Sequence, residues 1–254
     1  MTQKGSLKTA IILSLALMAE LTIGLSSGTT SALAQFRPPN RGTPRTSVGG
    51  ATRNTFCKPN TEEAKADKSI LTALVPTSRL GLTTEARPSF FVHLPITIAQ
   101  TAEFVLKDVD EKDVYRATIP LSGQRGVVRF QLPADAPELE VGKDYQWFFN
   151  VVCQPDDRLR DSFVTAWIQR VAPNPTLTNA LKSAEPRQRP NIYAQAGIWQ
   201  DTLTALTELR RTRPSDPTLT DEWSSLLRSV GLNQISGGPP TGQLSLGSSR
   251  PSPQ

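Results

Sequence analysis

Two cysteines, one histidine and two knots of carboxylates are the residues of this 254-residue chain whose types could do chemistry. Cys57 and Cys153 pair most simply as one disulfide, because an oxidising compartment permits it and no third thiol competes; two free buried thiols are the alternative. A closed loop of about 100 residues constrains the unfolded chain by ~4.7 kcal/mol in the chain-entropy account. Two thiols and one histidine without close spacing do not make a zinc site, so no metal centre is expected. His93 stands in Ser-Phe-Phe-Val-His-Leu-Pro and reads as a satisfied strand residue rather than a base. Beyond the first 34 residues the chain has no G-x-S-x-G, it has no H-E-x-x-H anywhere, and nothing calls for a cofactor. The carboxylates gather as Asp108, Asp110, Glu111 and Asp113, and again as Asp156, Asp157 and Asp161. Either group suits a loop calcium ion, and the second, Asp156, Asp157 and Asp161, could also serve a hydrolase that flanks a sugar with a further carboxylate in a cleft; the plainer reading is charge that keeps strand connections solvated.

The stretch Asp144–Cys153 alternates so that Tyr145, Trp147, Phe149, Val151 and Cys153 share one face, the pattern of a strand with a buried side. Trp147 and Trp167, with Tyr145, could instead form a flat stacking platform for a carbohydrate, and Trp199 is a third candidate. Exposure separates platform from core.

These residues must be positioned by a mainly β domain. Short apolar runs at Thr72–Val75, Ser89–Leu94, Ala102–Asp108, Asp113–Pro120, Gly126–Leu132, Asp144–Cys153 and Ser162–Val171 read as seven strands, punctuated by proline and glycine. Val109-Asp110-Glu111-Lys112 makes a hairpin of the third and fourth, and Ser122–Gly126 is expected to extend it into a three-stranded meander. Two half-apolar antiparallel sheets must bury their faces on one another, which gives a two-sheet sandwich over 57–172, with an immunoglobulin-like topology as one option.

Residues 173–190 read as a Pro-rich linker. Beyond it, Ile192, Ala196, Trp199, Leu203, Leu206 and Leu209 fall at helical spacing from about Asn191 to Arg211. Asp216-Pro217 reads as an N-cap with proline at the first helical position, and Leu219, Trp223, Leu226, Leu227 and Val230 form a second apolar stripe ended by Gly231. The two make a C-terminal helical hairpin over 191–232, followed by a disordered tail, 233–254.

Lys4 and Lys8, a short apolar run and Ala32-Leu33-Ala34 read as a signal peptide over 1–34, whose removal lowers the formal net charge from +5 to +4. Glu20 and the short apolar run argue against a retained anchor, and no later segment could span a membrane. Arg37, Arg41, Arg45 and Arg53 place much of the positive excess in a disordered Pro/Gly-rich linker, 35–56. Export removes most of the motive for reading this charge as nucleic-acid binding.

Leu71-Thr-Ala-Leu-Val-Pro76 with Leu80-Gly-Leu-Thr83, Pro88-Ser-Phe-Phe-Val92, Ala102-Glu-Phe-Val-Leu106, Asp113-Val-Tyr-Arg116, Leu139–Lys143 into Tyr145-Gln-Trp147, and Asp156-Asp157-Arg158 resemble a cyanobacterial exported family known only as a domain of unknown function, DUF928. Trp199, Asp216-Pro217, Trp223 and Val230-Gly-Leu232 extend the resemblance to roughly residues 49–232. It implies a periplasmic or extracellular role and brings no catalytic residues. The expectation is a non-enzymatic interaction or scaffold module with an envelope or secreted protein partner. A carbohydrate-binding module is the alternative, and a carboxylate-dependent hydrolase a third reading.

Overall fold

The computed structural model describes residues 36–38, 57–121, 123–235, 237–240, 243 and 244. The signal-peptide reading of 1–34, and most of the lead-in and tail, lie outside these residues.

Among the described residues eight strands form two sheets: β1 Thr72–Ala73, β2 Leu80–Thr83, β3 Ser89–Leu94, β4 Thr101–Lys107, β5 Asp113–Pro120, β6 Gly126–Gln131, β7 Asp144–Val152 and β8 Ser162–Arg170. The first sheet runs β1-β3-β6 and is antiparallel; the second runs β2-β8-β7-β4-β5 and is antiparallel except for the parallel β2–β8 pair. All seven expected strands are present. The order is that of an immunoglobulin-type sandwich whose first strand is divided between the sheets and whose fourth strand, beside β6, is missing among the described residues. Tyr145 at the start of β7 accepts a hydrogen bond from the Glu140 N–H at 3.1 Å, the tie of a tyrosine corner.

The inward faces meet in an aromatic cluster. Phe104 of β4 lies 4.7 Å from Phe90 of β3 and 4.5 Å from Phe130 of β6 between ring centroids, and Trp147 of β7 lies 5.3 Å from Phe90. Tyr145, Trp147, Phe149 and Val151 are all buried there, as alternation requires.

The expected meander is corrected. β4 and β5 form the hairpin, but β6 crosses to the other sheet and pairs with β3. β5 carries Asp113 and Arg116 at the sheet margin, where charge discourages further pairing, while Val128 and Phe130 are needed in the core. β2 was not expected, since four residues buried throughout show no alternation.

A short helix, α1 Glu62–Ala66, precedes β1, and the segment expected as a linker, 173–190, contains α2, Pro175–Ser183, capped by Asn174 Oδ1 accepting from the Leu177 N–H at 2.8 Å. The expected helix over 191–211 is two: α3 Arg189–Gln195 and α4 Trp199–Thr212. Gly197 at φ 75° turns the chain between them, sending Ile198 into a cluster with Trp167 and Leu177 and Trp199 into one with Phe91 and Trp223. α5, Thr218–Ser229, starts where Asp216 Oδ1 takes the Thr218 N–H and ends at Gly231, with the Leu232 N–H reaching the Leu227 carbonyl at 3.0 Å.

α4 and α5 cover the outer face of the three-stranded sheet, and α2 lies over β2 and β8 of the other. Trp199 Nε1 donates to the Leu74 carbonyl at 2.7 Å, and the largely buried Arg129 of β6 joins Ser89 at 2.9 Å and Glu208 of α4 at 2.8 Å. Arg187 pairs with the buried Glu222 of α5. Strands and helices therefore fall in one compact unit.

Two stretches expected to be disordered also contribute. Phe36 is buried edge-on against Trp199 at 4.8 Å, and the Arg37 N–H donates to the Ala194 carbonyl. Ile235 joins the helical cluster, and Leu244 is buried between the sheets.

Candidate functional site

Sheet register gathers three segments at one end of the sandwich. Val152 is opposite Thr101, and Thr72 opposite His93, so the β3–β4 connection, the β7–β8 connection and the lead into β1 lie together. The disulfide Cys57–Cys153, with Cα atoms 5.1 Å apart, fastens this end. The Cys57 carbonyl accepts from the Ile98 N–H at 2.8 Å and the Thr97 hydroxyl at 3.0 Å.

The β7–β8 connection is held from both sides. Arg158 makes a bidentate pair with Glu103 of β4 at 3.0 and 2.8 Å and meets Asp161 at 2.6 Å, while Asp161 also accepts the Cys153 N–H at 3.2 Å. The Arg158 guanidinium holds the Glu103 carboxyl below its ordinary range despite partial burial. Arg160 pairs with Asp157 at 2.8 Å. A single 3₁₀ turn, Arg158–Arg160, results, and Leu159 at its crest is 86% exposed. Ile98 at 51% and Ile70 at 43% stand exposed at the same end.

Asp156, Asp157 and Asp161 all lie on this connection. Two of the three are engaged by arginines and Asp156 is exposed, and among the described residues no group of three or more histidine, cysteine, aspartate or glutamate side chains could hold a metal ion. In the other acidic group, Asp108 caps the β4–β5 turn by accepting the Asp110 and Lys112 N–H groups, and Asp113 pairs with Lys107 and Arg116. His93 is buried with Nδ1 3.4 Å from the Ile70 carbonyl, and burial pushes its pKa down.

Trp147, Trp167 and Trp199 are all buried, so none offers a flat face to a sugar; Trp167 lies on the outer face of its sheet but under α2 and Ile198. The five-stranded sheet nevertheless carries partly exposed rings. Phe148 and Phe163 alternate to the outside of β7 and β8, beside Asn150, which is opposite Phe163. The same period-2 reading that places Trp147 inward places Phe148 outward, so this feature was legible in the sequence.

A cleft of about 320 Å³ lies between the β2–β3 connection and the helices, lined by Glu85, Arg189, Tyr193, Asp201, Glu208 and others. Asp201, in the first turn of α4, is buried and accepts from the Thr83 hydroxyl at 2.6 Å, from the Thr84 N–H at 2.9 Å and from the Thr84 hydroxyl. Burial outweighs these donors and pushes its carboxyl up to about 6. Only the fold reveals this, because Thr83 and Asp201 are 118 residues apart in sequence. With the folded pKa above the unfolded value near 3.8, the folded state holds more protons, so the contribution is full below that value and is lost as pH rises through about 6. The span corresponds to at most about 3 kcal/mol. Other carboxylates here are held low and act in the opposite sense. Subtracting the denaturant stability of Asp201→Asn from that of the wild type should therefore leave a difference that falls between about pH 4 and 7; a flat difference would contradict the raised pKa.

Among the described residues no helix is long and apolar enough to cross a membrane. No curated protein and no solved structure matches the chain. Residues 48–240, which span both sheets and the helices over them, match the family model described as Domain of Unknown Function (DUF928), and the chain belongs to that family.

Proposed function

We propose that this protein is an exported, non-enzymatic interaction module of a cyanobacterial envelope, which binds a protein partner through the disulfide-fastened end of its sandwich. The observation that carries this reading is Leu159, a large apolar side chain held in water on a loop immobilised by a bidentate ion pair, a carboxylate–amide bond and an adjoining disulfide. Burying such a side chain in a partner contributes about 1.5–3 kcal/mol, and a loop already ordered loses little entropy on binding. Export is supported by the signal-like N-terminus and by a disulfide, which persists in oxidising compartments.

A saccharide-binding reading rests on other residues than those first considered. Phe148 and Phe163 present partly exposed rings beside the amide of Asn150 on the outer face of the five-stranded sheet, a composition suited to stacking on a sugar ring.

One experiment addresses both. A photo-crosslinking side chain at position 159 should yield a defined adduct in the native envelope, and the same group at exposed Lys182 should not. Leu159→Asp should change stability by less than about 0.5 kcal/mol and abolish partner capture by the otherwise unaltered protein. Absence of a reproducible adduct at 159, with Phe148→Ala abolishing retention on envelope polysaccharide, would transfer the function to the sheet face.

A further inference from the structure

The edge of β6 is the one place where the immunoglobulin-type order is short of a strand, and it is not bare. Gln243 forms a parallel bridge to Arg129, and the Leu244 N–H donates to the Arg129 carbonyl at 2.7 Å. Leu244 is 4% exposed and belongs to the same interior cluster as Val128, Phe130 and Trp147. A residue more than a hundred positions downstream of β6 thus stands where the missing strand would run. The outward side of Arg129 is fixed by Ser89 and Glu208, so its backbone is held with the carbonyl ready for a partner.

A sheet edge presents unpaired N–H and C=O groups and accepts an extended segment by backbone pairing, while a pocket beside it selects the side chain. Both components are present: the Arg129 carbonyl supplies the pairing and the interior between the sheets receives the leucine. The last described stretch before the bridge, Pro239–Pro240, is buried, so the occupant is tethered a few residues away.

We propose that the β6 edge is a strand-accepting groove specific for a leucine-bearing extended segment, and that its occupant is the chain's own C-terminal tail at Gln243–Leu244, exchangeable for the tail of a second copy. In the monomer the tether supplies the tail at an effective concentration in the millimolar range, which keeps the groove closed to free segments. The inference is independent of the Leu159 end, which involves different strands.

The test uses the full chain and a fluorescein-labelled synthetic peptide of residues 239–248. Leu244→Ser should open the groove, so that this variant binds the peptide about 100-fold more tightly than the wild type, whose tethered tail competes. A peptide with serine in place of Leu244 should bind neither. Equal binding to both proteins, binding that ignores the leucine, or no binding to the opened variant would each overturn the proposal. Leu244→Ala, which retains the backbone pairing and a smaller side chain, serves if Leu244→Ser lacks a cooperative melt. Loss of folding in both would make Leu244 an irreplaceable core residue rather than an exchangeable occupant, and would overturn it equally.

Discussion

Trp199→Ala lowers the stability of the entire molecule, by about 3–5 kcal/mol, the range for truncating a buried tryptophan. The side chain is fully buried at the start of α4, its Nε1 satisfies the Leu74 carbonyl, and its ring meets Phe36 and the cluster around Phe91 and Trp223. Truncation leaves a cavity where three parts of the chain meet and orphans a buried acceptor beside β1. For a domain of this size the melting temperature should fall by on the order of 10 °C. Far-ultraviolet signals of helix and sheet should shift together, because the helices close the outer face of β3 rather than forming a module of their own. Helical signal lost well below an unchanged sheet transition would show instead that the layers unfold separately.

Removing the disulfide gives the second large effect. Cys57 and Cys153 are 96 residues apart in sequence, so the link constrains much of the unfolded chain, and its loss should cost about 2–5 kcal/mol. The double variant Cys57→Ser, Cys153→Ser should match reduced wild type in denaturant titration, and reductant should not affect it further. The native state also loosens locally, since Cys57 carries the carbonyl that holds Ile98 and Thr97. Faster amide exchange at Ile98 and at Cys153 should accompany the global loss. Wild type whose unfolding midpoint ignores reductant would contradict the link.

How far each feature could be read depends on the range of its cause. Trp147 and Phe149 were placed inward by alternation alone, and the β4–β5 hairpin by its short polar turn, because both signals lie within a few residues. Gly231 and Asp216 likewise ended and started a helix as their local chemistry dictates. β2 escaped because Leu-Gly-Leu-Thr carries no period, and the break at Gly197 because the apolar spacing continues through it. Trp167 illustrates the limit on sites: its strand position was right, but whether it faced water depended on α2, a helix expected as linker.

The amino-acid order alone determined the strands with strong alternation, the apolar stripes of the helices and the two residues free to form a disulfide, since these follow from periods of two and three to four residues and from a count of thiols. Tertiary structure decided which sheet receives β6, that Phe36 and Leu244 pack into the core, that Asp201 is buried against Thr83, and that, among the described residues, Leu159 alone of the large apolar side chains stands almost wholly in water. Each of those depends on partners far apart in sequence, and burial is a property of the assembled surface that no local pattern encodes.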